Sequence, residues 1–540
     1  MYEDARGIWP DFSTSPQQID PVVHMMFRAL AGKLKDVNDK INDISESIIS
    51  DLACRIFFDG LLHPIPSSTI LKFSTGSSIT GVDILTESCW VNTSIQPSVT
   101  FYFSPVEPKE LYPVEAAFAF SIGAEGINIL WTNPEWEGRG EFLGHFEMEK
   151  TTSGTVDKDY IYIGLISKAP DLAVPQTDIF IQGSAVLLEY LRWSRWRFTG
   201  TGGVFGDPVV SGQEKLNKIR GGHANPELSV WGHNYYPFEH KEEYQEYYFD
   251  VRKGMAGDTP LQLRQILSGA SVKLLDNLGP LYWIQVQSDR KIPLQEIKSF
   301  ELAATNCVVG LNAHYLKQNY FYHGPGPMEI RPQNTADEIF EIVSLDDNQG
   351  REYANVYTAS GDGGNENYFI PRIDGNVLSL IVNPPESGPI PDRFSLSYRI
   401  SSGEIANGIN AGLLNSLYNP HPGIESVINI TKTRGGTSAR SFKDMIKAFP
   451  RVLQSHNRAV VPSDFESLAI SFDKRIVSAE ARPGSVERDG VLRGCIEVEV
   501  DMGGFSFDLT EEGSLFLTRL AKFLEMRSPI GTVVTARFSD

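Results

Sequence analysis

The sequence predicts a multidomain α+β protein with an N-terminal coiled-coil helix, central β-rich domains and a small C-terminal α+β domain. Three observations carry the prediction. Apolar residues at Val23, Phe27, Leu30, Leu34, Val37, Ile41, Ile44 and Ile48 alternate in steps of four and three, the period of a coiled-coil seam. From residue 65 to about residue 400, short apolar runs are separated by Gly, Pro and Asn, the pattern of strands and turns. Beyond residue 400, helical and strand periods alternate.

The helix starts at Asp20-Pro21, an N-cap followed by a proline at the first helical position. It is over by His63-Pro64-Ile65-Pro66, where two prolines forbid continuation. Phe27, Leu34, Ile41 and Ile48 take the a positions, and Val23, Leu30, Val37 and Ile44 take d. Lys35, Asp36, Asp39, Asp43 and Glu46 lie outside the seam. Branched residues at d beside Leu and Ile at a favour three or more helices over two, so a three-helix bundle is expected. About 30 residues at about 1.5 Å each make a rod of about 45 Å. Eight such side chains left in water would forgo about 1.5–3 kcal/mol apiece, so some surface must cover them. No second long helix of matching period follows, and the seam therefore predicts a partner. The alternative is a helix lying on this chain's own sheets.

Five segments are expected: a helical segment over 1–64, a β domain over 65–191, an aromatic and Gly-rich insertion over 192–260, a second β-rich domain over 261–400 and the α+β domain over 401–540. In the first β domain the runs at 98–103, 116–122 and 160–166 read as strands. The tail is read as helices at 441–449 and in the stretch after Pro462, where Ser463 and Glu466 have capping-box spacing. A third helix runs to Glu525 after a second capping box at 508–511. Strands are expected at 475–481, 492–500 and 532–538, giving helices on one face of a small sheet.

Composition excludes several function classes. With 48 basic and 68 acidic residues the net charge is −20, a field that repels phosphate backbones and anionic lipid, so nucleic acid is not an expected partner. No 18-residue apolar run exists to span a bilayer and the first residues carry three acids without an apolar core, so a cytoplasmic location without membrane insertion is expected. Four cysteines at 54, 89, 307 and 495 have neither disulfide nor metal spacing and are expected to be buried thiols.

Chemistry-bearing motifs are scarce. Gly32-Lys33 is followed by Leu34 inside the heptad, so it is no phosphate loop. The glycines of 200–206 neither follow a clean strand nor open a helix, and read as a turn. His233, Glu239, His240 and Glu243 are dense in ligand types, but the spacing of the two histidines matches no standard metal site. Gly361-Asp362-Gly363-Gly364-Asn365-Glu366 lacks the alternating oxygens and terminal Glu of a calcium loop. Trp193, Arg195, Trp196 and Arg197 suit a protein interface better than base stacking in so acidic a chain. No catalytic residue, metal or cofactor is expected. The competing reading is a soluble β-rich carbohydrate-active or carbohydrate-binding protein, which requires two carboxylates about 5 to 10 Å apart in an aromatic-lined cleft. A phage-derived adhesin is a third possibility and predicts a homotrimer independent of partners.

The opening Asp20-Pro21 and Val23, the heptad, and Leu61-Leu62-His63-Pro64-Ile65-Pro66-Ser67 resemble the start of TssF, a baseplate component of type VI secretion systems. The stretch 101–116, with Leu111-Tyr112-Pro113, is similar to a family segment ending in Leu-x-Pro and an apolar strand. Thr305-Asn306-Cys307-Val308-Val309-Gly310-Leu311-Asn312 resembles the family's Asn-Cys-x-Pro-x-x-Asn, with Val309 in place of the proline, and 320–342 ends in a similar Ile-Phe-x-Ile pattern. The tail departs from TssF. The stretch 455–469, then Ile476 to Ala481, then Pro529-Ile530-Gly531-Thr532, looks more like the J-type wedge proteins of contractile phage tails.

The resemblance implies a non-enzymatic wedge subunit that links a spike hub to a contractile sheath. It further implies a wedge of two copies of this chain with one TssG-like subunit, joined by a three-helix bundle, and a TssK-like adaptor docked on it. The eight heptad residues would form the bundle interface. Arg458, Asp464, Phe465 and Leu468 are the candidate residues of a second, C-terminal junction.

Overall fold

The largely apolar stretch Val114–Gly123 is a strand buried at every position. Continuous burial follows from cover on both faces, where an apolar run replaces the usual alternation. The computed structural model describes Lys33 and, from Pro64 to Ser539, all residues except 77–81, 85–90, 97–98, 107, 124–125, 135–146, 149–158, 170, 200–203, 211–243, 245–246, 288–291, 325, 356–366, 375, 384–388, 440–457, 474, 489–490, 504, 506 and 508–509. The heptad residues, the expected helix at 441–449 and the second capping box therefore lie outside the described residues.

Val114–Gly123 belongs to a six-stranded sheet ordered Val209–Val210, Arg195–Phe198, Tyr282–Gln287, Tyr160–Ser167, Val114–Gly123 and Gly126–Thr132, with every pair antiparallel. One face packs Phe118, Phe120, Tyr162 and Trp283 against Leu263 and Leu275 of the helices Leu261–Ile266 and Gly269–Asn277. The other packs Ala119, Ile163 and Ile284 against Leu187, Leu188 and Leu191 of helix Ala185–Trp193. That helix is capped by Ser184, whose hydroxyl accepts the Leu187 N–H at 3.2 Å, as an N-cap serine does.

A second six-stranded sheet is assembled from distant parts of the chain, in the order Ser416–Leu417, Val91–Gln96, Val99–Pro105, Cys307–Leu311, Ser68–Thr75 and Ile424–Asn429. Leu71 lies between Val308 on one side and Asn429 on the other. A third sheet joins Tyr248–Val251, Thr177–Gln182 and Leu302–Thr305. These pairings run across the expected segmentation. The divisions at 191, 260 and 400 cut through shared sheets, and residues 401–437 close the second sheet instead of opening the C-terminal domain. The supposed insertion contributes strands at both ends: Trp196 is buried and stacked on Phe249 at 5.0 Å, while Trp193 stays half-exposed. Cys307 and Cys495 are buried, and burial pushes the Cys307 thiol up to about 12.

Residues 314–400 form a β body of their own. The sheet of His314–Phe321, Arg393–Ile400 and Ile339–Asp347, and that of Met328–Ile330, Val377–Val382, Tyr368–Asp374 and Ala354–Asn355, share a core containing Leu345, Leu380, Phe394 and Leu396.

The C-terminal domain runs helix Pro462–Phe472, strands Ser478–Arg488 and Val491–Asp501, helix Thr510–Met526 and strand Val534–Phe538. The last strand is parallel to Val491–Asp501. Alternation separates the two faces of this sheet. Ala481, Val498, Val500 and Val534 face the helices through Phe465, Leu468, Phe516, Leu520 and Leu524. The other face carries Glu499 between Arg482 and Arg537, at 3.2 and 2.9 Å. The three strands lie where the residue pattern places them, the first starting slightly later and running longer. Among the described residues no helix is long and apolar enough to cross a membrane.

Candidate partner junction

The expected capping box of helix Pro462–Phe472 is shifted by two residues. Val461 is the N-cap, with extended backbone, and Pro462 is the first helical residue. The Asp464 carboxylate accepts the N–H groups of Val460 and Val461 at 3.1 and 3.0 Å, so aspartate at the third helical position performs the return bond usually made by Glu or Gln. Proline donates no N–H, and starting the helix on it leaves one fewer orphan donor. Glu466 serves elsewhere, accepting the Ala481 N–H at 3.1 Å and fixing the helix to the first strand of the sheet.

Of the four candidate residues, Arg458 is exposed, Asp464 caps the helix, and Phe465 and Leu468 are 2% and 0% exposed in the core. Phe465 and Leu468 therefore belong to the core of this domain and present no surface of their own. The surface itself comes from their neighbours. Ala459 donates its N–H to the Arg527 carbonyl at 2.8 Å, which sets the segment before the first helix beside the end of the last. Arg527 is fixed in turn by its guanidinium, 3.8 Å from the Phe523 ring centroid. The following turn closes from Thr532 N–H to the Pro529 carbonyl at 3.1 Å, with Gly531 at φ 91°. Val460, Val461, Met526 and Ile530 emerge from this corner at 66%, 49%, 51% and 108% exposure. The Ala459–Arg527 bond thereby brings parts of both tail motifs to one corner, each with exposed apolar side chains.

A cavity of about 340 Å³ separates the C-terminal domain from residues 403–437. Its lining includes Glu404, Asp473, Glu512 and the rings of Phe472, Phe505, Phe507 and Phe516, the residue types a carbohydrate site requires. Their partners argue otherwise. Arg475 binds Asp473 through Nε and Nη2 at 2.9 and 2.8 Å and lies over Phe505, Phe507 and Phe516 at 5.1, 5.2 and 5.5 Å. Those ring faces are therefore occupied by a cation, and the nearest carboxylate is neutralised. Sequence reading missed this cage because its members are up to 41 residues apart, from Arg475 to Phe516. Among the described residues no group of three or more His, Cys, Asp or Glu side chains is placed to hold a metal. His233, Glu239, His240, Glu243 and the run 361–366 lie outside them.

Parts of three segments that resemble TssF, at 64–67, 101–105 and 307–312, meet at the second sheet, while 320–342 lies in the 314–400 body. Asn312 donates its N–H to the Ser67 carbonyl at 2.8 Å, its Nδ2 to Tyr102 O at 3.0 Å, and its Oδ1 accepts the Ser402 N–H at 2.8 Å. Asn306, at φ 54°, accepts the Tyr112 N–H at 3.0 Å and donates to the Tyr112 carbonyl at 2.6 Å. Left-handed backbone is tolerated by asparagine, and here it turns the chain from the third sheet into the second. Val309 sits opposite Ile70 in the ladder.

No protein-family model matches the chain, and no curated protein matches it. Solved structures similar to it include a chain of the type VI secretion system TssK-TssF-TssG baseplate subcomplex, 13% identical, covering 96% of each chain with a TM-score of 0.45. Another is a chain of the type VI secretion baseplate complex, 14% identical over 99% of this chain and 93% of that one, with a TM-score of 0.35. A third is a chain of the anti-feeding prophage baseplate, 9% identical over 99% of this chain and 70% of that one, with a TM-score of 0.28. Likeness at this level identifies neither a family nor a function.

Proposed function

We propose that this chain is a non-enzymatic wedge subunit of a cytoplasmic contractile injection baseplate, related to those of type VI secretion. The observation that carries the reading is that parts of three distant segments, each resembling TssF, are tied together around one sheet: 64–67, 101–112 and 305–312, through Ser67, Tyr102, Tyr112, Asn306 and Asn312. Residues that a binding or catalytic role would leave free are spent here on holding a scaffold together. The sheet begins immediately after Pro64 and Pro66, so in this reading a load on the expected 23–48 helix would enter the body through Ile65 and Ser68.

In this reading the heptad helices of two copies and one helix of a TssG-like subunit form the core bundle. The C-terminal corner makes a second junction, and a TssK-like adaptor, the spike hub and the sheath complete the assembly. Leu34→Asp and Ile41→Asp each bury a charge in the seam, at a cost no bundle of this size absorbs. Both variants are expected to keep the β signature in circular dichroism and to lose co-purifying partner subunits. Normal co-purification by either variant, folded, overturns the reading.

A further inference from the structure

Among the described residues, the strand Gly126–Thr132 is the last of its six-stranded sheet. Among the described residues its ladder partner is Val114–Gly123 alone. Its seven residues, GINILWT, hold no charge and no proline, and all are half-buried. Ile127 and Ile129 pack against the aromatic side of the sheet, and Leu130 and Trp131 against the opposite core. An edge of this kind presents a row of unpaired N–H and C=O groups, which soluble proteins ordinarily blunt with charge, proline or irregularity.

The other long edges among the described strands are blunted. His314–Phe321 carries Lys317, and Ile339–Asp347 carries Glu341 and Asp346 with two register shifts. Ser478–Arg488 has Glu480, Arg482 and Pro483. Ile424–Asn429 carries Glu425 and is partly covered, since Gly412 donates to the Asn429 carbonyl. Gly126–Thr132 has a single register shift, opposite Ala119 and Phe120.

We propose that this edge pairs with the same edge of a second copy of the chain, antiparallel about a two-fold axis, so that the two sheets continue into each other. The choice of a second copy follows from charge. Like charges placed opposite one another weaken a ladder, and a two-fold contact sets each residue type against its own strand. In a chain of net charge −20 most surfaces repel their copies, and this strand is the long edge that brings no charge to such a contact. Self-pairing also sets Ile and Trp side chains across from apolar neighbours. The proposal stands on this strand and not on the helix bundle.

The test is a scan of single cysteines in the full chain at Ile127, Asn128, Ile129 and Leu130. In a two-fold antiparallel pair one position faces its own copy, with Cβ atoms about 4.5–5.5 Å apart, within reach of a disulfide. Mild oxidation is expected to give a covalent dimer at one of these positions, and none in the unmodified chain or in Phe321→Cys on the charged edge His314–Phe321. The cross-link is expected to survive Leu34→Asp, which separates this contact from the helical seam. A scan with no covalent dimer, or equal cross-linking of Phe321→Cys, overturns the proposal. Hydrogen exchange on the unmodified chain tests the same pairing without substitution. Amides of 126–132 exchange faster on dilution under the proposal, and at one rate at every concentration without it.

Discussion

Arg475→Ala is expected to destabilise the C-terminal domain by about 3–5 kcal/mol, the cost of removing one partner of a buried pair. The side chains of Arg475 and Asp473 retain 15% and 4% exposure, so water replaces little of what is lost. The Asp473 carboxylate keeps the Arg475 backbone N–H at 2.8 Å but loses both guanidinium bonds. The three phenylalanine rings also lose the cation they surround. Arg475→Lys keeps the charge without the planar fork and is expected to cost about half as much. A double-mutant cycle with Asp473→Asn measures the pair directly, with a coupling of about 1–3 kcal/mol expected for groups in contact. All 8 tryptophans precede residue 284, so their fluorescence does not report on this domain. Urea dependence of hydrogen exchange at 465–469 and 496–500 does. A cost below about 1 kcal/mol for Arg475→Ala, or a coupling near zero, would refute the account of the cage.

Asn306→Ala is expected to cost about 1–3 kcal/mol by removing the acceptor of the Tyr112 N–H and one donor to the Tyr112 carbonyl, and Asn306→Gly about 1 kcal/mol less because glycine accepts the left-handed backbone. Equilibrium denaturation orders the two, and a glycine variant less stable than the alanine one contradicts the assignment. Burial opposes ionisation of Asp347, yet the N–H groups of Arg351 and Gln349 and the Arg351 guanidinium hold its carboxyl below the ordinary 3.8. Its contribution to the 314–400 body is therefore full above that value and is lost as pH falls below it; an acid titration in which Asp347→Asn loses stability in parallel with the unmodified chain argues against this. Ile530→Asp, at a fully exposed position, is expected to leave the unfolding midpoint unchanged and to weaken partner binding about 10- to 100-fold, the burial of one large apolar side chain. Unchanged assembly with this variant removes the corner as a junction.

The C-terminal domain was legible because its signals are local. Alternation from Ala479 to Val500 and the proline at 462 fix strands and helix within a few residues. The cap itself was misassigned, since Ser463 and Glu466 have the right spacing while Asp464 lies within reach of two free N–H groups. Val114–Gly123 was recognisable as a strand, and its two-sided burial explains its long apolar run, broken only by Glu115 and Ser121. The second sheet was not legible, because Ser68–Thr75 pairs with strands more than 200 residues away and no local period encodes such a partner. For the same reason the Gly126–Thr132 edge could not be foreseen: whether a strand is central or terminal depends on pairing, not on its own residues.

The most direct test of the proposed wedge is the native mass of this chain co-expressed with a TssG-like partner. A complex of two copies with one partner, reduced to separate subunits by Leu34→Asp, is the expected result. A free chain, or a homotrimer that persists without any partner, would contradict the account.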